Sequence, residues 1–254
     1  MDAWTGFYAG LNVGGDWSDN NSINTVATPT FISPTFLAGA GAEANALAAA
    51  ATTSQGVRNS GFIGGGQIGY NYQFNRWVAG VEADIEGLAS SSNSANLSRF
   101  VVLAPPFVAE NYTGTVTVAK TLNWLGTVRG RVGVLATPQL LLYGTGGFAY
   151  GGVSTASSYS FQESLGGGLA PVLGTSGTST TRTGWTAGAG GEWMFASNWT
   201  ARLEYLHYDL GSVTDSVTLT QLLVGVPYHT ELAQTFTRFS GDIVRVGVNY
   251  KFGG

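Results

Sequence analysis

Phe239-Ser240-Gly241-Asp242-Ile243-Val244-Arg245-Val246-Gly247-Val248-Asn249-Tyr250-Lys251-Phe252 is the stretch whose reading decides the fold. Taken at every second residue, Val244, Val246, Val248, Tyr250 and Phe252 share one face, and Arg245, Gly247, Asn249 and Lys251 share the other. That is the period of an extended strand with one apolar and one polar side. In a soluble sandwich the apolar side would look into a shared core. Here it finishes in Tyr250 and Phe252, the aromatics that a barrel in a bilayer places at the lipid–water interface.

Seven further segments repeat the pattern, at about 5–17, 60–74, 77–88, 120–135, 139–153, 183–195 and 199–211. In 60–74, Ile68, Tyr70, Tyr72 and Phe74 alternate with Gln67, Gly69, Asn71 and Gln73. In 77–88 the polar face carries Glu82, Asp84 and Glu86. In 120–135, Leu122, Trp124, Val128, Val132 and Val134 are read as outward, and Asn123, Thr127, Arg129 and Arg131 as inward. The connections alternate between tight turns and long loops, at 18–59, 89–119, 154–182 and 212–238. This spacing predicts an all-β fold, an eight-stranded antiparallel transmembrane β-barrel with four long extracellular loops, forming a single domain over 1–254. Closure of an even number of strands removes exposed edges. Within the first loop, Ser33-Pro34 followed by an Ala-rich run to Ala51 predicts a short helix.

Composition agrees. Of 254 residues, 44% are hydrophobic but only 10% charged, and 38 are Gly, a balance unlike that of a cytosolic enzyme. No run reaches the roughly 18 apolar residues of a membrane helix, so a spanning chain must close as a barrel. With no Cys, disulfides, thiolate metal sites and thiol nucleophiles are excluded. The 11 Lys and Arg do not cluster and the net charge is −4, which argues against nucleic acid. Met1-Asp2-Ala3-Trp4 leads almost directly into a strand, read as a mature form whose export signal is absent from this chain.

Aromatics fall in two rows. Phe74, Trp77, Trp193, Phe195, Trp199, Tyr250 and Phe252 lie beside short turns or the terminus, and Trp17, Trp124 and Trp185 near the long loops. A bilayer has two interfaces and calls for two such girdles. The inward faces collect Glu82, Asp84, Glu86, Glu192 and Glu204 with Arg129, Arg131, Arg202, Arg245 and Lys251. Unpaired charges in a narrow, low-dielectric interior cost several kcal/mol, so near-equal numbers predict a paired plug. A gated ion path is the functional rival.

Blocks such as Thr5-Gly6-Phe7-Tyr8-Ala9-Gly10, Gly65-Gly66-Gln67-Ile68-Gly69-Tyr70-Asn71, Trp124-Leu125-Gly126-Thr127-Val128-Arg129-Gly130-Arg131 and Val246-Gly247-Val248-Asn249-Tyr250-Lys251-Phe252 resemble those of the small porin-like outer-membrane surface antigens of alphaproteobacteria. The resemblance covers the strands and not the loops. It implies an OmpA-like barrel in the cell outer membrane, in contact with lipid and lipopolysaccharide and recognised by the barrel assembly machinery through its last strand. A homo-oligomer or an envelope partner stays open. The family label also implies a narrow porin, and some relatives imply a surface receptor, for example for haem. Such barrels usually finish on the aromatic, whereas Gly253 and Gly254 follow Phe252 here.

Three local patterns are weighed against plainer readings. Gly64-Gly65-Gly66-Gln67-Ile68-Gly69 matches a dinucleotide string, but that fingerprint needs a helix after it, and Tyr70-Asn71-Tyr72 continues a strand. His207 and Asp209 sit two apart near a strand end, with His229 in a loop, and parity turns the first pair toward the interface. Two His and two Met leave little choice of haem ligand. No catalytic, cofactor or metal residues are assigned, and a structural, surface-presenting barrel that is not an enzyme is the leading expectation.

Facing alone makes a testable statement. Val246→Arg should cost about 2–4 kcal/mol at the bilayer midplane, measured by urea titration of folding into vesicles, and Gly247→Ser, on the lumen side, is expected to be mild.

Overall fold

The computed structural model describes residues 3–18, 22–57, 60–90, 93–102, 111–163 and 170–252. In chain order its elements are β1 (Gly6–Ser18), β2 (Ser22–Ile32), a 3-10 turn (Pro34–Phe36), α1 (Leu37–Ala51), β3 (Thr53–Gly56), β4 (Ser60–Phe74), β5 (Trp77–Ser90), β6 (Asn93–Val102), β7 (Asn111–Thr137), β8 (Leu140–Glu163), β9 (Val172–Ala196), β10 (Trp199–Leu223) and β11 (Val226–Phe252). A ring runs β1-β4-β5-β7-β8-β9-β10-β11 and closes by pairing β11 with β1. The barrel therefore closes through eight strands, all in antiparallel register.

The expectation of four long loops is corrected. Strands β7 to β11 run on far beyond the ring, to lengths of 24 to 27 residues. Where the first loop was expected, β2, α1 and β3 form. These additions build an upper storey in the order β3-β2-β11-β10-β9-β8-β7, with β6 on the far side of β7. In effect β2, β3 and β6 take over there from β1, β4 and β5.

The physical reason is an inversion of the hydrophobic pattern within single strands. In the ring, Val128, Val132, Val246 and Leu203 point outward and stay exposed, while Arg129, Arg131, Arg245 and Arg202 are buried inside. Higher on the same strands, Val116, Val118, Tyr159, Phe161 and Leu219 are buried inside, while Thr115, Ser158 and Ser160 face out. A search for apolar-out strands stops where the parity flips. An irregularity in the β7–β8 register between Leu122 and Trp124 marks one such point. It buries Leu122 and exposes Asn123, the reverse of the expected facing.

The predicted helix forms. α1 lies within the upper storey against β2 and β11, reaching β6 and β7. Ala40, Ala44, Leu47, Ala48, Ala50 and Ala51 are buried along it, mostly small enough for a helix to share a narrow interior, and Glu43 is buried with them. Thr52 ends it, donating through Oγ1 to the Ala48 carbonyl at 2.8 Å and accepting the Ala27 N–H at 3.1 Å. At the opposite end of the barrel, Trp4 is buried beside Val78, Leu135, Leu141 and Tyr143. Its Nε1 donates to the Pro138 carbonyl at 3.2 Å.

Leu47 is 1% exposed among Ile23, Val116, Phe161 and other members of the upper core. Leu47→Ala should cost about 2–5 kcal/mol and speed proteolysis within 22–57. The compact form seen by electrophoresis without heating should persist, because the ring does not use Leu47.

Candidate functional site

The ring's interior is tiered. Toward the upper storey it is mostly apolar, with Ile63, Leu125, Ala149, Leu206, Phe239 and Ile243 in one cluster beside buried Asp16 and Lys120. At the end near Trp4 it is apolar again. Between them lie the charges. Strand parity makes this arrangement: β5 sends Glu82, Asp84 and Glu86 inward, β7 sends Arg129 and Arg131, β9 sends Glu192, β10 sends Arg202 and Glu204, and β11 sends Arg245.

Arg129 donates through Nη2 to Glu82 at 2.5 Å and to Asp84 at 2.7 Å, and its Nη1 lies 3.2 Å from Glu204. Arg245 bonds its neighbour across the β10–β11 pair, Glu204, at 2.5 Å, and reaches across the lumen to Asp84 at 2.9 Å and to Glu86. Arg202 donates to Glu82 at 2.6 Å, and Arg131 to Glu192 at 2.5 Å. Both Arg129 and Arg245 have fully buried side chains. Five carboxylates thus face four guanidiniums in one connected set. Neutral groups complete it. Tyr8 donates to Glu82 at 2.5 Å, Tyr143 to Glu204 at 2.9 Å, Thr127 to Asp84 at 2.8 Å, and Thr200 and Asn249 to Glu192 at 2.5 and 2.9 Å. The Arg131 guanidinium also lies 4.1 Å from the Tyr143 ring centroid, close enough for a cation–π contact.

Lys251 does not join this set. Its Nζ donates to the Ala3 carbonyl at 2.5 Å, near the Trp4 end. The tyrosines were not among the expected site residues. Tyr8 shares the inward register of Gly10 and Asn12, which could have disclosed it.

Outside, Phe74, Trp77, Trp193, Phe195, Trp199, Tyr250 and Phe252 are exposed around one end of the ring, with Trp199 edge-on to Tyr250 at 5.1 Å. Trp17 and Trp185 are exposed toward the other end, and Trp124 is half-buried, edge-on to Tyr150.

The remaining candidates resolve differently. Gly64 to Gly69 lie inside β4 with no helix after them. Gly69 is instead a close-approach position, since a Cβ there would meet the Tyr8 ring at 2.4 Å. His207 Nδ1 lies 3.0 Å from Asp242, not Asp209. Asp209 instead accepts from Arg238 and from the Gly211 N–H, at a break in the β10–β11 register. His229 is in β11 rather than a loop, fully buried, with Nδ1 2.6 Å from Glu231. Burial pushes the Glu231 carboxyl up, against the opposing pull of His229. Among the described residues no group of three His, Asp or Glu side chains is placed to hold a metal ion.

Residues 1–252 match the outer membrane protein β-barrel domain family. The chain belongs to that family. It is 37% identical over 200 residues to the 31 kDa outer-membrane immunogenic protein of Brucella melitensis, covering 77% of this chain and 68% of that one. It is 35% identical over 150 residues to the 22 kDa outer membrane protein of Rhizobium leguminosarum, covering 58% and 53%. Among solved structures, OprG of Pseudomonas aeruginosa aligns over 98% of this chain and 97% of its own at 12% identity, with a TM-score of 0.42. That likeness is too loose to carry anything beyond itself. The family and these relatives make this an outer-membrane β-barrel protein.

Removing Arg245 would take from the buried Glu86 the guanidinium that bonds it, while Asp84 and Glu204 keep Arg129. Arg245→Ala should cost about 3–5 kcal/mol, read from urea unfolding in detergent, and Arg245→Ala with Glu86→Ala should recover part of it. The packing also revises the Gly247→Ser expectation. A Cβ at Gly247 stands 2.9 Å from the Leu11 carbonyl oxygen and 3.3 Å from Arg202 Nε, so that change should destabilise too.

Proposed function

We propose that the barrel is a structural, surface-presenting unit of the outer membrane whose lumen is plugged by its own side chains. The supporting observation is the cross-lumen set centred on Arg129 and Arg245, both fully buried and bonded to carboxylates from β5 and β10. An eight-stranded ring has room for little more than the side chains it sends inward, and here these side chains bond one another directly. Mostly apolar tiers above and below, with Asp16 and Lys120 buried in the upper one, narrow the passage further.

In this reading the two aromatic rows mark the two interfaces, and the short turns with both chain ends face the periplasm. The upper storey stands outside the cell and is what the surroundings meet. The whole described chain acts as one unit, and β11, ending in Tyr250 and Phe252, is the strand the assembly machinery reads. The name of the Brucella relative, an immunogenic protein, fits a role in presenting surface rather than in passing solute.

Planar-bilayer recording on the purified protein tests the plug. The expected trace shows no discrete steps, and Arg129→Ala combined with Glu82→Ala should introduce leak. Discrete steps in the unaltered protein that vanish when Arg129 or Glu82 is changed would give the narrow-porin reading instead.

A further inference from the structure

Above Asp209, which pairs with Trp185 at its foot and bonds Arg238 of β11, the outer wall of the upper storey along β7, β8, β9 and β10 carries no charged side chain on its outward register among the described residues. Lys120, Arg182 and Asp215 all fall on the inward register, where Lys120 and Asp215 are buried. What faces out is hydroxyl: Thr115, Ser158, Ser160, Ser179, Thr181 and Thr214 are all exposed. At its base the wall links strands through side chains, with Asn123 Nδ2 donating to Ser154 Oγ at 3.0 Å and Ser154 Oγ lying 3.0 Å from Ser179 Oγ. Directly below come Phe148 and Trp185, the last exposed rings of the apolar belt.

A sheet face meant for water ordinarily carries Lys or Glu to stop it pairing or aggregating. This one has none and is long. We propose that it is a saccharide-contacting surface, and that its occupant is the neutral sugar of the lipopolysaccharide standing beside the barrel in the outer leaflet. The inference rests on the reading that the upper storey lies outside the cell.

Three observations select that occupant. The wall is continuous with the lipid-facing belt, so the next layer of the same leaflet stands against it. It lacks the Lys and Arg that would meet phosphate, so the sugar rather than the phosphorylated headgroup fits. It lacks the buried aromatic or Arg anchors of a protein interface, and Leu173 is its one large exposed apolar side chain above the rings among the described residues. Hydroxyl rows with Thr methyl groups between them offer donors, acceptors and small apolar patches, the same mixture a pyranose ring presents. The neighbouring wall of β2 and β11 differs, exposing Val26, Phe236 and Arg238.

The absence of Cys makes the test direct. Ser158→Cys and Thr214→Cys probe the wall. Asn24→Cys is the control, since Asn24 pairs with Phe236 and Phe236 with Thr214, which puts it in the same row of the sheet. Each variant is labelled in intact cells with a membrane-impermeant maleimide, in a strain with full-length lipopolysaccharide and in one lacking the core sugars. Loss of the sugars should speed labelling about tenfold at the two wall positions, the protection given by a contact worth one decade in affinity, and leave Asn24→Cys nearly unchanged. Equal acceleration at all three would mean that the sugars merely crowd the surface, and no acceleration would mean that they do not touch it. Either result overturns the proposal. Silence at all three positions in both strains overturns it together with the orientation beneath it, whatever the conductance shows. A second readout is saturation transfer by NMR from the purified, detergent-solubilised protein to lipid-free core oligosaccharide. It should be seen, and lost in Ser158→Glu with Thr181→Glu. No transfer to the core oligosaccharide, with transfer to lipid A in a parallel sample, would place recognition in the headgroup and refute the sugar.

Discussion

Twelve residue pairs, from Phe7 with Phe252 to Ser18 with Gly241, join β1 to β11. Along this seam the outer face is Phe7, Leu11, Val13, Val246 and Val248, all exposed. A backbone beside lipid has no water to bond, and each unmade hydrogen bond there costs several kcal/mol. The seam removes the two edges the sheet would otherwise present. Everything else in the ring is arranged so that the first and last strands can meet.

Closure through eight strands then dictates the interior. The ring is narrow, half of every strand's side chains point into it, and parity forbids sending the polar ones outward into lipid. The lumen must therefore accept charge and neutralise it within itself. Arg129, Arg131, Arg202 and Arg245 are suited to this because a planar guanidinium can bridge carboxylates on different strands, whereas a lysine offers a point charge. Arg245 contacts acids from both β5 and β10, and its bonds to β5 are ties that the backbone ladder does not make. Lys251 lies outside the set, at the end where a backbone carbonyl accepts from its ammonium group.

In the proposed orientation the upper storey leaves the membrane, the solvent changes and the same strands change with it. With water outside, the apolar register turns inward, and an enclosed core of Tyr159, Phe161, Leu219 and the α1 side chains replaces the salt-bridged lumen. One continuous strand such as β8 therefore obeys two rules, with Phe148 outward below and Phe161 inward above. The two storeys differ because the medium beside the strand differs, although the hydrogen-bond ladder is continuous.

Much of this was legible in the order of residues. Alternation with Val, Trp and Phe on one face and Glu, Arg and Asn on the other is a local property with period two, so the ring strands, most of their facing and the inward charges could be read from neighbours in sequence, whereas the Leu- and Gly-rich 139–153 blurred its two faces and Leu122 and Asn123 came out reversed. The helix was legible as well, from Ser33-Pro34 and the alanines. The upper strands were not, because Ser/Thr-rich segments that hide their few apolar residues look like loops until something fills the space they enclose. Pairs on adjacent strands, Glu82 with Arg129 and Glu204 with Arg245, follow from the strand order, but tertiary structure alone decided which acid meets which base across the lumen, since Arg245 bonds Glu86 from 159 residues away along the chain. It also decided that His207 turns to Asp242, that Trp4 closes one end, and that Gly247 has no room for a side chain. Facing is set by the strand's own geometry, but contact across a closed ring depends on how every strand is staggered against the next.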